Sequence, residues 1–451
     1  MVRRFGNIWF FLAKAGLFIV MLSVFFIGQN LYYEQTIFYF WGNYVVLLLY
    51  AASLYFTCKI YQGFHFGNAD WQSIILSWVL CLIITNALEY LQLSLLQSRM
   101  LPVGGLCVIL AVQLALITPI TYLIDKLYYS LHPAHRAIII YGEEKKAEEY
   151  SDLIEKHHRK YLVGSVISQD MQADAIKRQI RETESVFLIG VSNSFRESLL
   201  EYCFLHDKRV YILPLFSDAL LNTAEIAWVS NSPMFLLSSP ALDPAARLIK
   251  RCMDVIVSLL AIVLLSWLML IIWIAIRLYD RSPAIYKQIR VTKGGKNFTL
   301  YKFRSMRPDA ESDGVPRMTA HDDKRVTPVG RVIRRTRFDE LPQFFNVLNG
   351  SMSLVGPRPE RPEIAKQYED KYPSFSLRTK MKAGITGYAQ IYGKYDLPPD
   401  EKLVLDIMYI ERFSIWQDIK LMLQTLKVIL IPTSTEGIPQ DLLDANERKQ
   451  R

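Results

Sequence analysis

Five apolar runs long enough to cross a bilayer constrain this 451-residue chain more than any other feature. A hydrocarbon core of about 30 Å needs about 20 consecutive apolar residues in a helix, because every backbone amide must find its partner inside the segment. Four runs, near residues 8–27, 37–57, 74–95 and 103–125, predict a four-helix transmembrane bundle within residues 1–130. The start, Met-Val-Arg-Arg followed by an apolar run without a small-residue cleavage site, predicts a retained first helix rather than a cleaved leader. Arg3 and Arg4 precede the first run, residues 28–36 lack Lys and Arg, Lys59 follows the second, Arg99 is the cation of the third turn, and Lys126 and Arg136 follow the fourth. That bias places both ends of the bundle on the cytoplasmic side.

The fifth run, residues 252–276, follows Lys250-Arg251. A simple crossing would carry Arg277, Arg281, Lys287 and Arg290 outward, against the positive-inside rule. Cations on both flanks therefore predict a re-entrant hairpin, with Asp254 available to hold a bend. The net charge of +9 fits cytoplasmic loops, anionic lipid and phosphate-bearing substrates better than nucleic acid. Cys58, Cys81, Cys107, Cys203 and Cys252 form no CxxC pair, so neither a zinc site nor a disulfide frame is expected.

Between the bundle and the fifth run, residues 136–240 alternate strand and helix patterns: strand 137–142, helix 143–158, strand 161–168, helix 171–183, strand 185–191, helix 194–207 and strand 209–215. This predicts a Rossmann-like parallel α/β domain. Its first turn, Tyr141-Gly142-Glu143-Glu144-Lys145-Lys146, carries one glycine and two acids. A pyrophosphate is cradled by glycines at that turn and repelled by acids, so a docking or regulatory role is expected instead of dinucleotide binding. Residues 277–432 read as a mixed, basic α/β block. It has a strand at 298–304 and helical patterns at 324–336, 340–349 and 360–370. The stretches 403–413 and 416–431 suit either the membrane interface or packing on the core, and a polar tail follows at 433–451.

The chemistry-bearing residues lie in that block. Asp339-Glu340-Leu341-Pro342 suits a helix start, with Asp339 as cap and Gly350 beyond the far end, and that reading alone explains an isolated acid pair. Arg334, Arg335 and Arg337 immediately upstream change the balance. Arginine forks match phosphate oxygens, and a carboxylate among them stays ionised, as a nucleophile requires. The adjacent Glu340 can hold Mg2+, which takes one or two carboxylates together with substrate phosphate oxygens. Prolines in Gly356-Pro357-Arg358-Pro359-Glu360 either aim Arg358 inward or make a rigid turn with a solvated arginine. Lys302 and Arg304 share a strand face, either gripping a nucleotide or phosphate or facing solvent. His321-Asp322-Asp323 lacks further spaced ligands and reads as a surface loop.

Four ordered motifs resemble the bacterial sugar transferase family, the monotopic phosphoglycosyl transferases. They are Lys302-Phe303-Arg304-Ser305-Met306, the run from Thr336 to Gln343, Ser353-Leu354-Val355-Gly356-Pro357-Arg358-Pro359 and Gly384-Ile385-Thr386-Gly387-Tyr388-Ala389-Gln390. The resemblance covers residues 245–432, and the preceding bundle and α/β domain resemble the large, multi-domain branch. It implies a catalytic domain held by a re-entrant membrane helix, and transfer of sugar-1-phosphate from a UDP-sugar, commonly glucose or galactose, to undecaprenyl phosphate with release of UMP. By the same resemblance the reaction would be ping-pong through a covalent aspartyl intermediate, and it would open capsule, exopolysaccharide or O-antigen synthesis at the cytoplasmic face of the bacterial inner membrane. By motif position Asp339 would be the nucleophile and Glu340 the Mg2+ ligand. Arg334 and Arg358 would bind phosphate, and Lys302, Arg304 and Gln343 would complete the substrate side. A homodimer is compatible with this reading.

The sequence departs from the family in two places. Ser266-Trp267 stands where a bend-forming Ser-Pro is usual, and Ser282-Pro283 stands for Gly-Pro. A membrane nucleotide-sugar dehydratase would need a second glycine-rich turn and a Tyr-xxx-Lys pair, which the C-terminal block lacks. A non-catalytic assembly or regulatory subunit would have no need of Asp339, Glu340, Arg334 and Arg358 together.

Overall fold

A computed structural model describes residues 2–33, 41–67, 69–156, 159–237, 243–310, 323–393 and 397–430, with backbone alone for 2–7. The chain divides into two compact units, Met1–Leu213 and Pro214–Arg451.

In the first unit, α1 (Val2–Tyr33), α2 (Gly42–Ile60), α3 (Trp71–Leu96) and α4 (Val103–Leu131) are all long and apolar enough to cross a membrane. Hydrocarbon tails give apolar helix faces no reason to associate, so interior polar groups act as the tie. Gln113 of α4 supplies it. Its Nε2 donates to Met21 O of α1 (3.1 Å) and to Tyr50 Oη of α2 (2.9 Å), while its Oε1 accepts from Asn86 Nδ2 of α3 (2.8 Å). Leu48, Leu91 and Leu123, among others, remain exposed on the outside, where lipid would cover them.

The unit continues as β1 (His135–Tyr141), α5 (Glu144–Glu155), β2 (Tyr161–Ser168), α6 (Ala173–Glu182), β3 (Ser185–Ile189), α7 (Asn193–Leu205) and β4 (Arg209–Ile212). The four strands are parallel in the order β2-β1-β3-β4. β1 is buried on both faces, as a central parallel strand should be. Ile138 and Ile140 pack with Ile176, Ile180 and Leu199, and Ala137 and Ile139 pack with Ile154 on the other side. Gly142 has a packing reason of its own: a Cβ there would stand 2.3 Å from Gly190 O.

The second unit runs α8 (Phe216–Leu221), β5 (Glu225–Val229), β6 (Ser232–Leu236), α9 (Pro244–Asp280), β7 (Ile285–Val291), β8 (Asn297–Phe303), α10 (Pro328–Arg335), α11 (Gln343–Leu348), β9 (Ser353–Val355), α12 (Pro362–Lys371), β10 (Gly384–Thr386), α13 (Tyr388–Tyr392), α14 (Pro399–Glu411) and α15 (Ile415–Leu430). β5 pairs with β6 and β7 with β8, both antiparallel, and β9 pairs with β10 in parallel. The main core joins β8, α11, β9 and α14 through Leu300, Val347, Leu354, Leu403 and Ile407. Of the two C-terminal stretches, α14 thus packs into the core, and α15 joins it through Leu421 while leaving Trp416, Leu426 and Leu430 exposed.

α9 docks on this body at both ends. Near its start, Lys250 pairs with Asp418 of α15 and donates to Val355 O (3.1 Å). Asp254 Oδ1 accepts from Ser353 Oγ (3.1 Å) and Leu354 N (3.0 Å). Near its end, Ile272 and Ile276 pack with Phe303, Ile333 and Leu341. Between them Leu259, Leu260, Val263, Leu264, Trp267 and Leu270 stand exposed. The helix is unbroken at Ser266-Trp267, where Ser266 Oγ donates back to Val263 O (2.8 Å), a bond that bends helices mildly. The chain before α9 also packs with the chain after it. Ala219 of α8 shares the core with α14, and Arg412 donates to Asn222 O (3.4 Å).

The loop after β9 is clamped by charge. Arg290 Nη1 donates to Pro359 O (2.9 Å), and Arg378 Nη2 donates to Arg358 O (2.9 Å). Glu360 accepts from Lys402 Nζ (2.9 Å) and Arg378 Nη1 (3.5 Å), and Arg378 Nη2 pairs with Asp406 Oδ2 (2.6 Å). Burial opposes ionisation of Glu360, but Lys402, Arg378 and Arg290 outweigh it and hold its carboxyl down to about 2. A depressed folded value means the stabilisation is complete above the usual glutamate value and is lost as pH falls through about 2. Glu360→Gln strands these cations, and we expect it to lower stability at neutral pH by about 3 kcal/mol. Melting curves of the solubilised chain should show the wild-type advantage shrinking as pH drops below the usual glutamate range; an advantage independent of pH would remove Glu360 from this role.

Candidate active site

α10 begins under a Thr327 cap, whose Oγ1 accepts from Gly330 N (2.9 Å), and ends at Arg334-Arg335. The backbone then reverses at Arg337, which adopts φ 55° and ψ 19°. A side chain other than glycine in this left-handed region costs about 1 kcal/mol, a strain that sites of chemistry commonly carry. It lets Phe338 pack against the cluster containing Ile272 and Ile333, and it turns the following two acids out of the helix path. Asp339 and Glu340 consequently lie in a 3₁₀ turn, Phe338–Glu340. Asp339 is therefore not the cap of α11: Pro342 occupies that position, and α11 starts at Gln343. The cap expectation fails because Arg337 reverses the chain before the helix can begin.

β8 brings Lys302 to this turn, and the clamped loop brings Arg358. Lys302 Nζ lies 2.8 Å and Arg358 Nη2 3.2 Å from the same oxygen, Glu340 Oε1. Arg358 is one-third exposed at 33%, whereas the Glu340 side chain is at 12%, so the arginine opens toward solvent from a closed carboxylate. Burial opposes ionisation of Glu340, but Lys302, Arg358 and Arg337 together drive its carboxyl well below the ordinary range. Asp339 goes the other way, up to about 6. Burial is the largest cause there, and adjacent Glu340 adds to it, against the pull of Lys302, Arg334 and Arg358. Two neighbouring carboxylates thus differ in proton affinity, a division that assigns different roles to chemically similar groups.

The structure therefore brings Asp339, Glu340, Lys302, Arg334 and Arg358 together. Arg304 and Gln343 flank them without a hydrogen bond to either carboxylate. Arg304 stands one residue beyond β8, its backbone N–H bound to Ala284 O (2.8 Å), and Gln343 is buried at the start of α11. His321 and Asp322 lie outside the described residues, and Asp323 is taken up by Arg325 at 2.6 Å. Among the described residues no group of three or more His, Cys, Asp or Glu could hold a metal ion. An acid pair without further ligands fits Mg2+, which keeps waters and shares substrate phosphates, and does not fit a fully protein-bound metal.

The sequence reading missed the residues behind Arg358. Arg290, Arg378, Lys402 and Asp406 come from β7, a 3₁₀ segment and α14, and local spacing carries no sign of their convergence. The one available signal was Glu360, an acid fixed between prolines and cations inside a motif already singled out.

Comparison with known proteins bears on this half of the chain. The sequence profile described as bacterial sugar transferase matches residues 245–432. A UDP-N-acetylgalactosamine-undecaprenyl-phosphate N-acetylgalactosaminephosphotransferase of Aeromonas hydrophila is 38% identical over 52% of this chain and 55% of its own length. A UDP-glucose:undecaprenyl-phosphate glucose-1-phosphate transferase of Escherichia coli is 41% identical over 48% of each chain. The chain thus spans about half the length of these curated relatives. A shorter uncharacterized sugar transferase, EpsL of Bacillus subtilis, is 37% identical over 43% of this chain and 91% of its own length. With nearly all of that shorter relative covered, and the profile lying on the segment that holds Asp339 and Arg358, this chain belongs to the bacterial sugar transferase family.

Proposed function

We propose that this chain transfers sugar-1-phosphate from a UDP-sugar to undecaprenyl phosphate, releasing UMP, and so initiates a cell-surface polysaccharide. The observation that carries this reading is the split acid pair, with Asp339 beside an ionised Glu340, Lys302 and Arg358 acting on both, and Arg334 acting on Asp339. The relatives' names supply the substrate classes, since they act on undecaprenyl phosphate with glucose, galactose or N-acetylgalactosamine donors.

In this reading the Asp339 carboxylate attacks the sugar-bearing phosphorus of the diphosphate. The bond from that phosphorus to the bridging oxygen breaks, and UMP leaves with the electron pair. A phosphate oxygen of undecaprenyl phosphate then attacks the same phosphorus, and the Asp339 carboxylate is regenerated. With a value of about 6, Asp339 is largely ionised at neutral pH without being held as tightly as Glu340. Arg358 and Arg334 face the phosphate oxygens, where charge-assisted, forked hydrogen bonds are strongest. Lys302 fixes the Glu340 carboxylate. Glu340 would hold Mg2+, which when bound supplies positive charge against the diphosphate.

The same proposal places the second unit on one side of the inner membrane, the cytoplasmic face, with α9 entering and leaving there. Chain segments on both sides of α9 share one core, which a complete crossing would separate.

Three outcomes are expected. Asp339→Asn should lower UMP release from UDP-glucose, UDP-galactose and UDP-N-acetylgalactosamine in undecaprenyl-phosphate-supplemented membranes by at least about a thousandfold, and should leave no labelled sugar phosphate on the protein. Equal release by variant and wild type would end the proposal. Chelation with EDTA should stop release, and added Mg2+ should restore it. For topology, an otherwise cysteine-free chain carrying Cys252, or a cysteine in place of Tyr279, should react with an impermeant maleimide from the same side of inverted vesicles. Labelling from opposite sides would show a full crossing.

A further inference from the structure

The far end of α11 carries a second charged assembly. Its last carbonyls, Val347 O and Leu348 O, accept from Arg251 Nη1 and Nη2 at 2.6 and 2.7 Å. The chain leaves through Gly350 at φ +85°, a conformation that favours glycine. The point that a Cβ on Gly350 would occupy lies 3.6 Å from Arg251 Nη2 and 3.7 Å from Lys382 Nζ. The two cations therefore face one another across a floor that has no side chain.

The charges around this point do not balance. Lys382 feels chiefly the cations Arg251, Lys293 and Lys250, against the acid Asp254. Lys250 is matched by Asp418, and Asp254 is engaged by Ser353 Oγ and Leu354 N. Arg251 has committed two of its five N–H donors to the helix carbonyls. Among the described residues the Lys382 amine has neither a hydrogen bond nor an ion pair. Partial burial, then repulsion from Arg251 and the nearby lysines, lowers its proton affinity. A half-buried ammonium beside other cations is costly unless an anion completes the group. The assembly also has a defined depth: Arg251 immediately precedes Cys252, where the apolar run of α9 begins.

We propose that Arg251 and Lys382, with Gly350 as floor and Lys293 alongside, bind the phosphate of an anionic phospholipid headgroup. The site is separate from the catalytic acids, which lie before the opposite end of α11. It rests on the reading that α9 is embedded in a bilayer, and it does not require the transfer reaction.

The full-length chain in neutral detergent is titrated with dioctanoyl phosphatidylglycerol, dioctanoyl phosphatidylcholine and inorganic phosphate, with binding read by phosphorus NMR line broadening. Saturable binding of the anionic lipid is expected, weakened about fivefold by Lys382→Gln and kept by Lys382→Arg and by Asp339→Asn. Unchanged binding in Lys382→Gln overturns the proposal. So does equal binding of the choline lipid, or full competition by inorganic phosphate, which would mark a free-anion site. Loss of the lipid in Asp339→Asn would place it in the catalytic centre and overturn the proposal too, whereas an inactive wild type that still binds lipid through Lys382 would refute the transfer reading alone.

Discussion

The second unit is arranged around carboxylates that must remain ionised while buried. Removing an ion from water costs several kcal/mol, so each needs cations held rigidly within reach. The two acids of the 3₁₀ turn show how narrow the balance is. Glu340 has two cations in direct contact with one oxygen, and attraction exceeds desolvation. Asp339, one residue earlier, has cations nearby, yet desolvation prevails. Backbone geometry decides this difference: the left-handed Arg337 rotates the turn so that β8 and the proline-bounded loop both reach Glu340.

Arg358 links the two buried acid groups. Its guanidinium rests on Glu340, while its carbonyl is gripped by Arg378, itself bound to Glu360 and Asp406. Prolines on either side restrict the loop before any charge acts, so little entropy is lost when Arg358 is aimed. Preorganisation of this kind matters for phosphoryl transfer, where positioning and fixed charge carry nearly all of the catalysis.

Membrane-scale features were legible because they are written in composition over about 20 residues. α2, α3 and α4 fall within a few residues of the apolar runs, and the parallel sheet follows from buried strands such as Ala137–Ile140 alternating with charged helices. Asp339 and Glu340 were legible as candidate site residues through their neighbours Arg334 and Arg358. Two things were not. The 3₁₀ turn depends on Arg337 adopting a conformation that local propensity disfavours, imposed by packing of Phe338. The Glu360 clamp depends on Arg290, Arg378 and Lys402 converging from distant positions, for which a single sequence holds no periodic signal.

α9 explains why the second unit needs so many interior charges at one edge. A 37-residue helix whose middle stands clear of the protein can be held only at its ends. The distal end uses apolar contacts, Ile272 and Ile276 against Ile333 and Phe303. The proximal end uses Lys250, Arg251 and Asp254, which bond to α15, α11 and β9. Apolar contacts compete poorly with lipid for an apolar helix, whereas a desolvated charge pair with fixed partners does not exchange with hydrocarbon. The proximal charges therefore fix that end of the helix, and because Arg251 and Asp254 bond to α11 and β9, which lie between the acid turn and the Arg358 loop, they tie the position of Asp339 and Glu340 to that of the helix.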